Sequence, residues 1–194
     1  MSYYRKHAKE FIEETFNCDM SEQYRFFEKH LEGRGTILDV GIGSGRDSLY
    51  FKSKGYEVYS IDPEDVFIKH AKELGLENIY KLKAEEIDFV DKFDGIWACA
   101  SLLHVPSKDL AGVLRKCFFA LKNGGVMYVS FKYGDFEGER NGRYYVDVNE
   151  NSFKRYLKDS GLILAESTLS EDVRPERNEK WLNLILKKEI NGKK

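Results

Sequence analysis

The stretch Thr36 to Ser48, TILDVGIGSGRDS, constrains this chain more than any other. Thr36-Ile37-Leu38-Asp39-Val40 is short, apolar and β-branched, the composition of one buried strand. Gly41, Gly43 and Gly45 follow at once, and Arg46-Asp47-Ser48-Leu49-Tyr50-Phe51 opens a helical pattern. A strand, a glycine-rich turn and a helix start make a nucleotide-binding βα unit. Glycines allow a tight turn and let a ligand approach bare backbone, while the helix N-terminus offers free N–H groups. Three alternating glycines alone also suit an ordinary βα turn. Two acidic residues argue for a ligand. Asp39 precedes the glycines in the order Asp-x-Gly-x-Gly-x-Gly, and Asp62 ends the next apolar run, Glu57-Val58-Tyr59-Ser60-Ile61-Asp62. An acidic residue ending the second strand, about 20 residues after such a turn, is placed to hydrogen-bond a ribose diol.

Strand and helix patterns alternate from Thr36 to Tyr133, which predicts a doubly wound parallel sheet. A helix starts at Asp62-Pro63 with Val66, Phe67, Ala71 and Leu74 inward, and Gly75 stops it. Ile79 to Leu82 is a short strand. Phe93 to Ala100 is nearly continuous in apolar residues, as a strand covered on both faces is. The loop Ser101 to Pro106 follows at its C-terminal end, where open α/β sheets bind ligands. Ser107 is expected to cap a helix carrying Leu110, Val113, Leu114, Cys117, Phe118 and Leu121, and Asn123-Gly124-Gly125 to end it before a strand over Val126–Tyr133.

The flanks differ in character. Tyr3 to Phe16 has helical spacing, and Asp19 with Glu22 reads as a capping pair opening a second helix with Tyr24, Phe27 and Leu31 inward. These helices precede the βα core and are placed to cover it. Gly134 to Arg143 is polar and glycine-rich and reads as a long functional loop. A short helix over Asn151–Ser160 and two strands, Leu162–Leu169 and Trp181–Lys187, close the sheet with an antiparallel pair. Asn191 to Lys194 reads as a frayed tail. The division is therefore a single domain over 1–194, with a helical cover (1–33), a βα core (34–133) and a loop with C-terminal strands (134–190).

With 194 residues and 42% apolar side chains, the chain suits one globular domain. The 31 basic and 33 acidic residues give a net charge of −2 and are well mixed, which argues against a chain-wide nucleic-acid surface. No apolar run approaches the roughly 20 residues that span a bilayer, and the first residues lead into no signal-peptide core. Cys18, Cys99 and Cys117 are odd in number without C-x-x-C spacing, as reduced cytoplasmic thiols are. His7, His30, His70 and His104 have no metal-ligand spacing, so no metal is expected. His70, among Lys69 and Lys72, reads as an exposed position. The oligomeric state is not legible.

The order Asp39-x-Gly-x-Gly-x-Gly followed by Asp62 resembles the class I S-adenosylmethionine-dependent methyltransferases. The resemblance implies a Rossmann-like α/β fold of about seven strands, mostly parallel with an antiparallel C-terminal strand, and helices on both faces. It also implies S-adenosylmethionine as cofactor. The residue matching Asp39 supports the loop and the cofactor's amino-acid end there, and the one matching Asp62 holds the ribose. Gly41, Gly43, Gly45, Arg46 and Pro63 belong to the same candidate cofactor site, with Ala100 and Ser101 at the fourth strand's end. Related methyltransferases carry an Asp-Ala pair at the adenine; this chain has Lys83 at the Asp position, which leaves Ala84 and Glu85 as candidates. A dinucleotide-binding dehydrogenase is the rival, but the place of its third glycine is Arg46, and Gly45 sits one residue early. The segments LDVGIGSGRDS, FDGIWACASLLHVP, LKNGGVMYVSFKYG and ERNGRYYVD together look like bacterial small-molecule methyltransferases of the tellurite-resistance-related type. Known members of that group act on metalloid or thiol-like acceptors.

Methyl transfer from a sulfonium is an in-line displacement, so the protein's main task is to align nucleophile and methyl. His104 is the candidate general base, from its place in the strand-end loop and a reference pKa near neutrality; the alternative is a histidine that caps the next helix. Lys132, Arg140, Arg143, Arg174 and Arg177 make a cationic set suited to a carboxylate or phosphate, and Tyr4 on the cover could reach the same ligand. The expected function is transfer to a small anionic acceptor. A nucleic-acid or protein methyltransferase and a non-catalytic cofactor sensor are the alternatives, the first opposed by mixed charge and small size.

Overall fold

The computed structural model describes residues 3–189, so the expected tail from Asn191 lies outside the described residues. One sheet organises them: β1 (Thr36–Val40), β2 (Glu57–Asp62), β3 (Asn78–Lys81), β4 (Phe93–Ala98), β5 (Leu121–Lys132), β8 (Ile163–Glu171) and β9 (Lys180–Lys187). Their order across the sheet is β3-β2-β1-β4-β5-β9-β8. β1 pairs in parallel with β2 and β4, β2 with β3, and β4 with β5. β9 runs antiparallel to both of its neighbours, β5 and β8. The winding reverses between β1 and β4, so their C-terminal ends flank the crevice where such sheets bind ligands.

Alternation along the strands fills both faces. Leu38, Val40, Ile96, Ala98, Met127 and Val129 pack on one side with Leu110, Val113, Leu114 and Cys117 of α5 (Ser107–Ala120) and Phe153 of α6 (Glu150–Leu157). Ile37, Trp97, Val126 and Tyr128 pack on the other with Tyr24 and Phe27 of α2 (Ser21–Glu28) and Phe51 of α3 (Arg46–Ser53). A third cluster joins Ala8 of α1 (Tyr3–Thr15) to Phe67 and Ala71 of α4 (Asp65–Glu73) and to Ile42 of the glycine turn. The N-terminal helix thus rests on the ligand side of the sheet through apolar contacts of its own.

Six local expectations need correction. Gly134–Arg143 is not a loop: β6 (Glu137–Arg140) and β7 (Arg143–Val146) form a hairpin around Asn141-Gly142, whose φ values of 51° and 74° suit a two-residue turn. Helix α4 starts at Asp65, because Asp62 still belongs to β2 and Glu64 is extended. Ser107 is the first helical residue of α5 and caps nothing; its N–H is taken by Glu137 Oε1 at 3.0 Å. That helix ends at Ala120, where the extended Leu121 opens β5, well before the glycines. Asp19 accepts the Ser21 N–H at 2.9 Å, but the residue at the cap of α2 is Met20, so no capping pair forms. His70 is half-buried, with Nε2 inaccessible and unpartnered among the described residues. No described helix is long and apolar enough to cross a membrane.

Candidate active site

A cavity of about 530 Å³ opens at the C-terminal ends of β1, β2, β4 and β5, under α1, a size ordinary for a small-ligand site. The glycine turn forms its floor. Gly41 has φ 83°, and a Cβ there would lie 2.7 Å from Cβ of Ser101, so only glycine lets the two strand ends approach. The N–H groups of Gly41 and Ile42 both donate to the Ile61 carbonyl, at 2.9 and 3.1 Å. This ties the turn to β2.

Asp62 stands beside it, buried and lining the cavity. Its Oδ2 accepts the Gly43 N–H at 3.2 Å and its Oδ1 the Glu64 N–H at 2.9 Å. Burial pushes its pKa up to about 6 against those two hydrogen bonds. Each carboxylate oxygen retains acceptor capacity, and the nearby Ser101 hydroxyl is inaccessible without a partner among the described residues. A carboxylate fixed by two backbone amides beside bare glycine backbone fits a nucleoside ribose. Pro63, Lys83, Ala84 and Glu85 continue the wall past Asp62, so the adenine candidates do reach the cavity.

The two other polar residues of the motif lie deeper. Asp39 is 2% exposed, accepts from the Ser48 hydroxyl at 2.6 Å, and does not line the cavity. Burial and the neighbouring Asp47 push its pKa well up. Arg46 reaches the wall but forks onto Asp47, with Nε at 2.7 Å and Nη2 at 3.0 Å, and its Nη1 donates to the Thr15 carbonyl at 3.0 Å. Asp47 also receives Tyr24 OH at 2.6 Å and Trp97 Nε1 at 2.9 Å. Burial opposes the Asp47 charge, yet Arg46 and these hydrogen bonds hold it below the usual carboxylate range. Arg46 therefore anchors the end of α1 to the start of α3.

Beyond β4 the backbone is held in an uncommon shape. Ala100 has φ 50°, the left-handed region, at a cost on the order of 1 kcal/mol for a residue with a Cβ. Its N–H donates to Ser130 Oγ at 2.9 Å, which holds the turn against the cavity. Cys99 also lines the cavity; burial pushes its thiol up to about 12, so it stays protonated.

The acceptor side gathers Tyr4, His104, Lys132, Arg143, Arg174 and Arg177 on the cavity wall; Arg140 is not part of it. Arg140 pairs with Asp147 and lies 4.2 Å over the Phe136 ring. Most of the remaining cations are already matched. Lys132 pairs with Glu179, Arg174 forks onto Asp172 at 3.0 and 3.1 Å, and Arg177 reaches Glu14 at 3.4 Å. Arg143 differs: it forms no ion pair among the described residues and its Nε is inaccessible and unpartnered. Its guanidinium lies 4.6 Å from the Tyr3 ring and 5.2 Å from that of Tyr145, and Nη1 reaches Tyr4 OH at 3.4 Å. Tyr4 OH in turn donates to His104 Nε2 at 2.8 Å, because His104 Nδ1 donates to the Tyr144 carbonyl at 2.7 Å. Burial, with Arg143 and Lys132 nearby, lowers the His104 pKa to about 4. Gln23, Ser130, Tyr145 and Asn183 also line the cavity. Ser130 and Tyr145 fall in the segments LKNGGVMYVSFKYG and ERNGRYYVD, which do not single them out, and Gln23 and Asn183 carried no motif signal.

Comparison with known proteins agrees with this geometry. Residues 38–129 match the family model described as a methyltransferase domain. An uncharacterized methyltransferase of Staphylococcus carnosus is 24% identical over 96% of this chain and 99% of that protein. A ubiquinone biosynthesis O-methyltransferase of Marinobacter nauticus is 34% identical, but over 48% of this chain and only 42% of that protein. Among solved structures, the Burkholderia thailandensis 1,6-didemethyltoxoflavin-N1-methyltransferase, with 1,6-didemethyltoxoflavin and S-adenosylhomocysteine bound, superposes with a TM-score of 0.78 at 21% identity. The alignment covers 96% of this chain and 84% of that one. Residues 38–129 are thus a methyltransferase domain, on a sheet and beside an Asp62–glycine-turn cradle that suit an enzyme using S-adenosylmethionine.

Proposed function

We propose that the chain transfers the methyl group to a small anionic acceptor by in-line displacement. Arg143 carries this reading: it is a cation on the cavity wall that meets no carboxylate among the described residues. Guanidinium without a counter-charge, part-buried among phenol rings, is stabilised by an incoming carboxylate or phosphate. Lys132, Arg174 and Arg177 have their own acidic partners and shape the wall more than they attract a ligand. The names of two relatives, an O-methyltransferase of ubiquinone biosynthesis and an N1-methyltransferase holding 1,6-didemethyltoxoflavin, support an acceptor of small-molecule size. The tellurite-resistance-related resemblance implies a soft neutral acceptor, against which Arg143 argues.

Bound S-adenosylmethionine supplies an electrophilic methyl on its sulfonium. Asp62 and the glycine turn hold the nucleoside part, with Ala84 and Glu85 toward the base. The residues of 1–33 act as a cover, 34–133 as the cofactor half, and the hairpin with the C-terminal strands as the acceptor side. His104 then orients Tyr4 and does not serve as a free base: its Nε2 lone pair is occupied and its basicity is low. With its proton committed to His104, the Tyr4 oxygen presents lone pairs, so it accepts from an N–H or O–H on the acceptor and aligns it.

Screening with methyl-labelled S-adenosylmethionine tests this, using small hydroxy- and amino-carboxylates, organic phosphates and their neutral amides or esters. Label should pass to the anions, and Arg143→Gln should raise their KM about tenfold. Turnover confined to neutral compounds, or an unchanged KM in the variant, would remove the anionic acceptor.

A further inference from the structure

We infer that Gln23, on α2, holds the amino-acid end of the cofactor. The inference rests on the cofactor assignment and not on the identity of the acceptor. The order of strand ends sets the direction. Lys83 follows β3, Asp62 ends β2, the glycine turn follows β1, and Cys99 follows β4, all on one cavity. A molecule built as adenine, ribose and methionine in sequence, with its ribose at Asp62 and its base toward Ala84, sends its charged end past the glycine turn toward β4 and β5. There α2 packs over Trp97 and Tyr128, the β4 and β5 residues beneath it.

The groups first expected at that end are committed elsewhere. Asp39 is sealed behind Ser48, and Arg46 spends Nε, Nη1 and Nη2 on Asp47 and Thr15. Gln23 is the group left over. Its residue is 8% exposed, it lines the cavity, and its Oε1 is inaccessible with no hydrogen-bond partner among the described residues. Native interiors rarely leave an amide acceptor unpaired, and such an orphan marks a place where a ligand is expected. The side-chain amide has one acceptor and two donors, and a half-turn about its last bond exchanges them. This is the complement of an α-ammonium beside an α-carboxylate. A neutral amide recognises that zwitterion without adding net charge next to the Arg46–Asp47 pair.

Calorimetric titration with two named ligands separates this role from others. S-adenosylhomocysteine carries the amino-acid end, and 5′-methylthioadenosine has the same adenosine and thioether without it. Gln23→Ala should weaken S-adenosylhomocysteine binding by about 10- to 100-fold, as the loss of a hydrogen bond to a charged group does, and leave methylthioadenosine within about twofold. Gln23→Met, which keeps size and packing but offers neither donor nor acceptor, should likewise lose S-adenosylhomocysteine affinity selectively. Should the alanine variant fold poorly, the methionine variant decides. Unchanged S-adenosylhomocysteine affinity, or an equal loss for both ligands, overturns the role of Gln23. A wild-type protein that binds neither ligand overturns the cofactor assignment itself.

Discussion

The Tyr4 hydroxyl lies 2.8 Å from Nε2 of His104, a bond between the first helix and the loop after β4. It fixes three things at once. The His104 proton sits on Nδ1, bound to the Tyr144 carbonyl; the Tyr4 proton points away from Arg143; and α1 is pinned across the cavity mouth.

This arrangement has a pH signature. Burial lowers the folded-state pKa of His104 to about 4, against about 6.5 in an unfolded chain. Between those values the unfolded chain binds the proton and the folded one does not, so stability from this site is complete above about pH 6.5 and declines as pH falls toward 4. Asp62 acts in the opposite sense, because its raised value of about 6 makes the folded chain the better proton binder. The His104 contribution is therefore read by difference. Urea unfolding of wild type and His104→Gln should show the wild-type advantage shrinking by about 2 kcal/mol between about pH 7.5 and pH 5. A constant difference would mean that His104 is not held neutral.

Asp62 should make cofactor affinity depend on pH. Ribose hydroxyls donate to an ionised carboxylate, so the ligand favours the deprotonated form and draws its pKa down. With the free site at about 6, S-adenosylhomocysteine should bind about tenfold more weakly at about pH 5 than at pH 7. Affinity should level off above. Asp62→Asn, which cannot ionise, should bind weakly at both pH values; a wild-type slope surviving in that variant would assign the titration to another group.

The sheet was legible because its signals are local and repeated. Apolar runs broken by Gly41 and Gly75 mark a strand end and a helix end, and the order of Asp39, the glycines and Asp62 needs no knowledge of packing. The hairpin escaped because glycine and charge outweighed the Asn141-Gly142 dipeptide, although Asn-Gly is the strongest short hairpin signal. The ion pairs escaped for a different reason. Nothing near Lys132 or Arg177 announces Glu179 or Glu14, since partners far apart in sequence meet only through the fold. A set of five cations in sequence thus becomes one uncompensated cation, Arg143, in space. Gln23 had no sequence signal, as a polar residue at a helical position reads as solvated.

The buried carboxylate of Asp47 should dominate stability near the site. Four donor atoms converge on it, from Tyr24, Arg46 and Trp97. Asp47→Ala leaves the Arg46 guanidinium, largely buried, without its counter-charge and two aromatic donors without an acceptor. Removing one partner of such a pair costs about 3–5 kcal/mol. Urea midpoints should fall accordingly in the cofactor-free protein. A loss below about 1 kcal/mol would show that water replaces Asp47 easily and that the cluster is not what fixes α1 to α3.

The far end of α1 is held by weaker bonds, and the expected effect is on opening more than on unfolding. Glu14 lies 3.4 Å from Arg177 and 3.9 Å from Arg174, tying α1 to the turn between β8 and β9. The carboxylate is half-exposed, so these pairs contribute at most about 1 kcal/mol. Glu14→Gln should therefore leave the urea midpoint nearly unchanged. It should, however, speed tryptic cleavage within α1, whose local opening needs far less energy than global unfolding. Raising salt to about 0.5 M screens exposed charges, so wild type should then be cut as fast as the variant, while the variant itself changes little. S-adenosylhomocysteine should slow cleavage in both, because a ligand under α1 stabilises the closed form by mass action. Cleavage insensitive to Glu14→Gln and to salt would mean that Tyr4, Arg46 and the apolar face of α1 hold the cover without help from Glu14.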